Sequence, residues 1–444
     1  MGDTTLLAQA IREHLPHTPF SDEPGLFHTY TDEMTMPHLI CAPTTINEAA
    51  RIVELAHRHH CTIQARGGGT SNDLGSLSQA PDIELLTTGL NQLLEHEAPD
   101  LTCHIEAGMT LSTLQNHLAR KGQKLALDPP DAKHATIGGI IASNASGPKR
   151  LRYGTARDQV IGLRVIQADG TVTRSGGRVV KNVAGYDLNK LYIGSLGTLG
   201  IIVEANFKLQ PLPATEQTLL LTYTNADDAM HTVLSLLGSA ITPTALELID
   251  SGAANSMNDG YGLHLPTNGY TLAVNFEGNH TALERQINET RLQARRLNAL
   301  LGEELTNQDQ EHFWHIIRQQ QRGTLTCKIS LLPSQIAPYL RILSSTCRQH
   351  TLEAASIAHA GNGIVYTELR PADALPRLTA TITALRHYVN SHHGTLVIER
   401  CPTQLKRQID VWGDPGSSFF MMQRLKEQFD PQGTFTKGRF LGGL

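Results

Sequence analysis

Residues 66–71 read Arg66-Gly67-Gly68-Gly69-Thr70-Ser71 and follow the strand-like stretch Thr62-Ile63-Gln64-Ala65. Three successive residues without a Cβ let backbone N–H groups converge on an anion, and Thr70 and Ser71 add hydroxyl donors. A mobile surface turn has the same composition, because glycine serves both purposes. The position of the glycines directly after a β-branched strand favours a phosphate-binding loop. The turn-like Asn72-Asp73-Leu74-Gly75 excludes the GxGxxG fingerprint that opens a helix, and the Gly-Lys-Ser/Thr ending of a P-loop is missing.

A second segment of small residues runs from Asp128-Pro129-Pro130-Asp131 through Ala135-Thr136-Ile137-Gly138-Gly139 to Ser146-Gly147. Small side chains let a backbone lie flat against an aromatic ring or a pyrophosphate, since a larger group would keep the ligand away. The alternative is a tightly packed helix of Gly, Ala and Ser against a sheet. Asn144 and Ser146 supply polar atoms that packing alone does not require, which favours a ligand site.

A third segment reads Gly194-Ser195-Leu196-Gly197-Thr198-Leu199-Gly200-Ile201-Ile202 and comes after Lys181-Asn182-Val183-Ala184-Gly185-Tyr186-Asp187-Leu188. Glycines spaced by three before a β-branched strand indicate a loop whose backbone lies close to another group. A tight turn that merely packs is equally compatible with this pattern. One such segment is weak evidence, but three of them in one half of the chain predict a shared ligand site.

The length of 444 residues predicts two domains, each large enough to bury its own apolar core. The first half mixes strands and helices, and Thr45 there fits the N-cap of a helix with Glu48 three residues on. From Leu212 onward, strands alternate with amphipathic helices, which predicts an antiparallel sheet covered by helices on one face. The strands predicted there are 219–223, 245–250, 271–277, 325–331, 354–358, 364–369 and 395–399, and the helices are 226–238, 280–300, 333–350, 372–392 and 417–429.

The charge balance of 37 Lys and Arg against 42 Asp and Glu gives a net charge of -5 and no electrostatic reason to expect a nucleic-acid partner. The six cysteines are scattered and form no CxxC pattern, so neither zinc nor iron-sulfur ligation is predicted. The N-terminus lacks a basic region followed by an apolar one, and no apolar run reaches membrane-spanning length. We therefore predict a cytoplasmic protein whose membrane association is at most peripheral, through partners.

The order of these segments resembles the FAD-binding domain of the vanillyl-alcohol oxidase and p-cresol methylhydroxylase (PCMH) type. In that family a PTT-led strand and helix, an R-G-G-G-T-S-like pyrophosphate loop, a T-I-G-G...N-x-x-G segment and a closing G-S-x-G-T-L-G-I-I segment follow one another. All four occur here in that order, the first at Pro43-Thr44-Thr45. Within the family, residues 179–188, Val411-Trp412-Gly413 and Gly438-Arg439 resemble the FAD-binding subunit of bacterial glycolate oxidase, in the FAD-linked 2-hydroxy-acid dehydrogenase group.

The resemblance implies an α+β fold with a two-subdomain PCMH-type FAD-binding domain over residues 35–213, after an N-terminal helix and lead-in over residues 1–34. An antiparallel-sheet, helix-covered cap domain would occupy residues 214–410, and residues 411–444 would return to the FAD-binding domain. FAD would be bound non-covalently, because Thr70 stands where some relatives attach it through a histidine. The implied FAD-binding residues are Arg66, Gly67, Gly68, Gly69, Thr70, Ser71, Pro130, Thr136, Ile137, Gly138, Gly139, Ala142, Asn144, Ser146, Gly147, Gly197, Thr198, Leu199, Gly200, Ile201 and Ile202.

The cap motif of the family, G-H-x-G-D-G-N-x-H, carries a divalent metal and a histidine that can act as a base. This chain retains the first histidine as His359, but Tyr366 stands at or near the place of the second, and the E-H-G segment reads Glu399-Arg400-Cys401. One imidazole would leave a metal under-coordinated, so no metal site is predicted. His359 is then either a base or a structural histidine.

In the catalytic interpretation, an arginine binds the carboxylate of a 2-hydroxy acid while a base takes the hydroxyl proton. The sequence does not rank the cap arginines, and we take Arg318 with His359 as the predicted catalytic residues. The other arginines considered are Arg322, Arg370 and Arg400.

The resemblance implies the FAD-binding subunit of a glycolate or D-lactate type dehydrogenase. Such a subunit works beside a second flavin subunit and an iron-sulfur subunit, and the scattered cysteines here fit the need for an electron-accepting partner. Two alternatives remain open. One is a flavin-bearing relay or assembly subunit without catalysis of its own, and the other is a stand-alone flavin oxidase of an alcohol.

Overall fold

The computed structural model describes residues 4–22, 36–177, 186–300, 302–319, 323–371 and 373–444. The chain divides into two compact units. The first comprises Met1–Ser146, Thr155–Leu212 and Asp414–Leu444, and the second comprises Gly147–Gly154 and Pro213–Gly413. The C-terminal segment thus belongs to the first unit. The second unit takes a short piece, residues 147–154, from within the first half of the sequence.

The elements of the first half are α1 (Thr4–His14), β1 (Phe20–Ser21), β2 (Leu39–Cys41), α2 (Ile46–Arg58), β3 (Ile63–Arg66), β4 (Ile83–Leu86), β5 (Leu93–Glu97), β6 (Thr102–Glu106), α3 (Leu111–Ala119), β7 (Gln123–Lys124), α4 (Ile137–Ser143), α5 (Arg150–Tyr153), α6 (Ala156–Gln159), β8 (Val160–Ile166), β9 (Val172–Gly176), α7 (Asn189–Tyr192), β10 (Ile201–Lys208) and β11 (Gln210–Pro211). Those of the second half are β12 (Thr215–Tyr223), α8 (Ala226–Leu237), β13 (Ala245–Ile249), α9 (Ser251–Tyr261), β14 (Tyr270–Gly278), α10 (His280–Arg296), β15 (Gly302–Leu305), α11 (Asn307–Gln319), β16 (Thr326–Ser330), α12 (Ile336–His350), β17 (Glu353–His359), β18 (Ile364–Arg370), α13 (Leu375–Ser391), β19 (Thr395–Arg400), α14 (Thr403–Lys406) and α15 (Phe419–Phe429).

Two main sheets organise the first unit. The smaller has the order β1-β2-β4-β3, in which β2 and β3 run parallel to β4. The larger is antiparallel, in the order β5-β6-β10-β8-β9. Apolar residues of α1 and α2 share a core with the smaller sheet, and those of α3 and α4 share a core with the larger one. These sheets fix the strand ends from which the glycine-rich segments leave.

The start of α2 confirms the predicted N-cap at Thr45. The Thr45 hydroxyl accepts a hydrogen bond from the backbone N–H of Glu48 at 3.2 Å. In return, the Glu48 carboxylate accepts one from the backbone N–H of Thr45 at 3.1 Å. This capping box satisfies donors that the first helical turn leaves unpaired. It fixes where the chain turns from β2 into α2, and α2 leads directly to β3 and the glycines.

The second unit is built on one eight-stranded antiparallel sheet in the order β15-β12-β14-β13-β17-β18-β16-β19. Alternate residues of each strand face opposite sides. Leu246 and Leu248 of β13 pack in a large core with apolar residues of α8, α10, α12 and α13. This face, covered by four helices, confirms the predicted helix-covered sheet.

The opposite face of that sheet also carries helices, whereas the sequence predicted helices on one face only. Ala245 and Ile249 of β13 share a second core with α9 and α11. Neither helix is obvious in the sequence: Ser251–Tyr261 is rich in Gly, Asn and Ser, and its buried side chains are Ala253, Ala254 and Met257. Within the described residues, no helix is both long and apolar enough to cross a membrane.

Candidate functional site

The glycine loop, residues 67–71, leaves the end of β3 and packs against the residues that open α4. A Cβ added at Gly67 would lie 3.2 Å from the Thr136 Cβ, and one added at Gly68 would overlap the His134 carbonyl oxygen. Thr136 caps α4 by accepting a hydrogen bond from the Gly139 N–H at 3.3 Å. Only residues without side chains allow this approach. The first and second predicted segments therefore lie together.

The helix α4 is the tightly packed helix that the sequence left as an alternative. It has small residues because its neighbours approach closely: a Cβ on Gly138 would lie 3.0 Å from the Ala107 Cβ and 3.6 Å from the Ile202 carbonyl oxygen. At its end, the backbone N–H groups of Gly194 and Leu196 donate to the carbonyl oxygens of Ile141 (3.0 Å) and Ala142 (2.8 Å). The third segment thus joins the other two around α4.

The predicted FAD-binding residues differ in burial and in the unit to which they belong. Ile137, Ile201 and Ile202 are buried in apolar cores, so only their backbone is available to a ligand. Pro130 is half-buried in the turn before α4, and Gly147 belongs to the second unit. Residues 179–185 of the stretch that resembles glycolate oxidase lie outside the described residues. The remaining predicted residues of the first unit lie on the three joined segments or at their ends.

Two observations test whether these segments fit a flavin dinucleotide. First, the backbone N–H groups of Gly68, Gly69, Thr70 and Ser71 donate no hydrogen bond to any described residue. Second, the buried Oδ1 of Asn144, at the left-handed C-cap of α4, has no partner among the described residues. Buried polar atoms are rarely left without a partner. A cluster of free N–H donors suits pyrophosphate oxygens, and an unused amide oxygen suits a ring N–H, so the residues fit FAD.

The Arg66 side chain, just before the glycine loop, contacts Glu84 and Asn72, which both follow the loop in the sequence. Its Nη1 lies 3.3 Å from Glu84 Oε1, and the side chain of Glu84 is only 5% exposed. With the Asn72 amide turned so that its oxygen faces the guanidinium, that oxygen accepts bonds from Nε (3.3 Å) and Nη2 (3.1 Å). The guanidinium thereby ties the start of the loop to its end. Arg66 accordingly acts on the loop's shape.

Arg439, in the C-terminal segment, holds the same loop from the other end of the chain. Its Nη2 donates to the carbonyl oxygens of Ser71 (2.7 Å) and Asn72 (3.2 Å), and its Nε donates to that of Leu74 (3.0 Å). Burial lowers the pKa of Arg439 from its ordinary value, and the nearby Asp73 carboxylate opposes that shift. The sequence indicated Arg439 only through resemblance and did not predict this role.

Lys426, on α15, performs a similar task for the third segment. This lysine is buried, and its Nζ donates to the Thr198 carbonyl oxygen at 2.8 Å and to Asp430 Oδ2 at 2.6 Å. Burial lowers the pKa of Lys426, while the Asp430 carboxylate raises it. In sequence, Lys426 and Asp430 have the spacing of an ordinary exposed helix pair, which explains why the role was missed.

In the second unit, five side chains form a row across five adjacent strands of the sheet. At its first end, His359 of β17 and Glu247 of β13 are register partners, and His359 Nδ1 lies 2.7 Å from Glu247 Oε1. Both side chains are buried, at 1% and 0% exposure. The carboxylate fixes the orientation of the imidazole. Glu247 is a partner that the sequence did not predict.

The row continues through Tyr366 and Lys328 to Glu399. The Tyr366 ring stands edge-on to His359, with centroids 5.3 Å apart. Tyr366 pairs in register with Lys328, whose Nζ lies 5.7 Å from the ring centroid and 3.1 Å from Glu399 Oε1. The Glu399 carboxylate raises the pKa of Lys328. Burial raises the pKa of Tyr366, although Lys328 opposes this shift. We call these five residues the polar row.

The polar row does not fit the divalent metal that the family motif implies. A carboxylate-bound imidazole is typical of a ligated histidine, but His359 is the only histidine of the row. Glu399, the carboxylate kept from the E-H-G segment of the family, is paired with the Lys328 ammonium. No group of three or more His, Cys, Asp or Glu residues that could hold a metal occurs among the described residues.

The structure does not bring Arg318 to His359 by any polar contact. Arg318 lies in the last turn of α11, and its side chain makes no hydrogen bond or ion pair with the described residues. Arg370 is paired with Glu368 at 2.5 Å, and Arg322 lies outside the described residues. Arg318 therefore stays a prediction.

Two family models match the chain. The one for the FAD binding domain matches residues 37–176, and the one for the C-terminal domain of FAD linked oxidases matches residues 212–439. Glycolate oxidase subunit GlcD of Bacillus subtilis (strain 168) is 30% identical over 421 residues, covering 91% of this chain and 89% of the relative. A D-lactate dehydrogenase of Archaeoglobus fulgidus is 26% identical over 431 residues, covering 91% and 92%.

The fold is shared with solved structures. That of p-cresol methylhydroxylase with substrate bound has a TM-score of 0.77, covers 96% of this chain and 95% of that one, and is 16% identical. This likeness confirms the predicted fold, a PCMH-type FAD-binding domain with a cap. Together with the two family models and the nearly full-length match to a 30% identical relative, it shows that the chain belongs to the FAD-linked oxidases and is an FAD-binding oxidoreductase.

Proposed function

We propose that this chain is the FAD-binding subunit of a 2-hydroxy-acid dehydrogenase of the glycolate or D-lactate type, with FAD held non-covalently. The observation that carries the proposal is the meeting of three glycine-rich segments around α4, with N–H groups of the glycine loop left without partners among the described residues. The substrate class is supported by the relatives, which are named as a glycolate oxidase subunit and as a D-lactate dehydrogenase.

The residues of the first unit would divide the work of holding FAD. The N–H groups of Gly68 to Ser71 would bind the pyrophosphate, and Asn144 Oδ1 would accept a hydrogen bond from the flavin. Arg439 and Lys426 would keep the loops in place. FAD, when bound, would accept the hydride from the carbinol carbon of the substrate, and the protein's share is orientation and electrostatics.

His359 would take the hydroxyl proton of the substrate. If its Nδ1–H is donated to Glu247, Nε2 carries the lone pair that a base needs. Arg318 would bind the substrate carboxylate. Onward electron transfer would use a second flavin subunit and an iron-sulfur subunit, and we place the protein in the cytoplasm, with any membrane contact made through these partners.

One observation favours a second candidate, a flavin relay subunit without its own catalysis. The His359 side chain is 1% exposed, and Tyr366 stands against it. A base must come within hydrogen-bond distance of its substrate, which such burial opposes.

Anaerobic addition of glycolate, D-lactate and D-2-hydroxyglutarate to the purified, FAD-loaded chain separates the two candidates. Bleaching of the oxidised flavin spectrum by one of these acids, lost in His359→Asn but retained in the exposed control His280→Asn, supports the dehydrogenase. An unchanged spectrum with all three acids, in a chain that binds FAD, favours the relay. Peroxide production in air without partners would instead indicate a stand-alone oxidase, and a chain that takes up no FAD contradicts all three.

A further inference from the structure

We propose that the polar row is a metal-free site in which the Lys328 ammonium provides the positive charge that a divalent metal provides in relatives with the complete cap motif. The row offers a carboxylate at each end, Glu247 and Glu399, and each already has a partner within the row. This inference concerns metal binding and stands apart from the substrate proposed above.

The geometry at the second end of the row supports the assignment. Lys328 Nζ lies 3.1 Å from Glu399 Oε1, and both side chains are about a quarter exposed, at 28% and 24%. A metal ion bound to Glu399 would have to displace this ammonium or remain next to it. Two cations that contact the same carboxylate repel each other strongly in a partly buried site. The lysine ammonium and a metal ion therefore exclude one another at Glu399.

The other residues of the polar row supply few ligands for a metal ion. Tyr366 ligates well only as a phenolate, and burial raises the pKa of its hydroxyl. His359 is then the one strong neutral ligand, whereas protein zinc sites use three or four ligands. Arg150 adds a second positive charge that acts on both Lys328 and Tyr366. The polar row therefore already contains the Lys328 ammonium and has too few ligands for a divalent metal ion.

Metal content measures this directly, without reference to activity. The FAD-loaded chain is incubated with Zn²⁺ or Mn²⁺, passed through a desalting column and analysed for metal by mass spectrometry, with FAD absorbance as the measure of folded protein. We expect the native chain to retain far less than one metal ion per FAD. Retention of one equivalent that disappears in Glu399→Gln would overturn the proposal.

A pair of substitutions tests whether Lys328 is the cause of the exclusion. Lys328→Met combined with Tyr366→His removes the ammonium and restores a second imidazole, so this variant should retain about one Zn²⁺ per chain. Lys328→Arg with Tyr366→His keeps the charge and should retain none. Lys121→Met, an exposed lysine of the first unit, serves as the control for loss of a surface charge. A Lys328→Met/Tyr366→His protein that binds FAD normally and still takes up no zinc would refute the role of Lys328, and the native measurement decides the proposal if that variant does not fold.

Discussion

Nη2 of Arg439 donates a hydrogen bond of 2.7 Å to the carbonyl oxygen of Ser71, joining the C-terminal segment to the last residue of the glycine loop. Two further bonds, to the carbonyl oxygens of Asn72 and Leu74, make the guanidinium a clamp on the turn that follows the loop. A loop with three glycines has high conformational entropy when it is free. Holding its end therefore prepares its N–H groups for an anion.

Replacing Arg439 by methionine should weaken FAD binding with little effect on the sheets. Hydrogen bonds to charged groups contribute roughly 1.5–3 kcal/mol each, so the loss of one such contribution corresponds to a dissociation constant raised about ten- to a hundredfold. Titration of the apoprotein with FAD, followed by flavin fluorescence, gives the value. Arg424→Met, which removes an exposed arginine of α15, is the matched control and should bind FAD as the native chain does. Equal affinity in the two variants would contradict the clamp.

Gly68→Ala should abolish the fit between the glycine loop and α4. The added Cβ would overlap the His134 carbonyl oxygen and lie 2.7 Å from its carbon, and this backbone cannot move aside without shifting the Thr136 cap. We expect purified protein with little or no bound FAD. Gly260→Ala is the control, because its Cβ meets no atom within 4 Å and it lies in a helix, where alanine is favoured by roughly 0.5–1 kcal/mol. Full FAD content in Gly68→Ala would show that the loop does not need this approach.

The sequence predicts those features that depend on neighbours along the chain. The capping box at Thr45 and Glu48, and seven of the eight strands of the second unit, follow from local pattern and were found where predicted, whereas β15 was missed. The helices α9 and α11 were missed because their apolar faces are short and polar residues dominate them. Periodicity is weak in such segments, and only the sheet face that they cover reveals them.

The candidate site shows the same difference between features set by local sequence and features set by tertiary contacts. Gly68 and Asn144 could be singled out from composition, since glycine and small polar residues carry their own conformational signal. Glu247 could not, because its partner His359 is reached only when β13 and β17 become neighbours in the sheet. Lys426 has the spacing of a surface pair with Asp430, yet both are buried. Burial and long-range pairing are tertiary properties that one sequence does not encode in local pattern.

Asp250 should make the stability of the second unit depend on pH in mildly acidic solution. It caps α9, with Oδ1 accepting from the Ala253 N–H at 2.8 Å, and burial raises its pKa from the ordinary 3.8 to about 6. The folded state then binds the proton more tightly than the unfolded state. Its contribution to stability is fully present below pH 3.8 and is lost as the pH rises through about 6.

Asp250→Asn separates this titration from the cap, because asparagine caps a helix as well as aspartate does. The difference in unfolding temperature, variant minus native chain, should become more positive as the pH is raised from about 4 to about 7. Thermal unfolding followed by circular dichroism across this range provides the test. Asp259→Asn, an exposed position on the same helix, should run parallel to the native chain. A parallel curve for Asp250→Asn as well would rule out the predicted titration.

Lys426→Met should destabilise the first unit strongly, because it leaves the Asp430 carboxylate buried without its cation. Asp430 would keep the backbone N–H donors of Thr434 (2.7 Å) and Phe435 (2.9 Å), but its side chain is 0% exposed. Breaking one partner of a buried pair typically costs about 3–5 kcal/mol. Denaturant unfolding of the FAD-loaded chain measures the loss.

The double variant Lys426→Met/Asp430→Asn shows whether that loss comes from the unpaired charge or from the Thr198 contact. If the charge dominates, removing both partners should cost less than the sum of the single changes, with a coupling energy of roughly 0.5–3 kcal/mol. If the hydrogen bond from Lys426 to the Thr198 carbonyl oxygen also holds the third segment, the double variant should regain stability while its FAD affinity stays reduced. Strictly additive losses, with unchanged FAD affinity in every variant, would show that this buried lysine neither compensates Asp430 nor supports the flavin site.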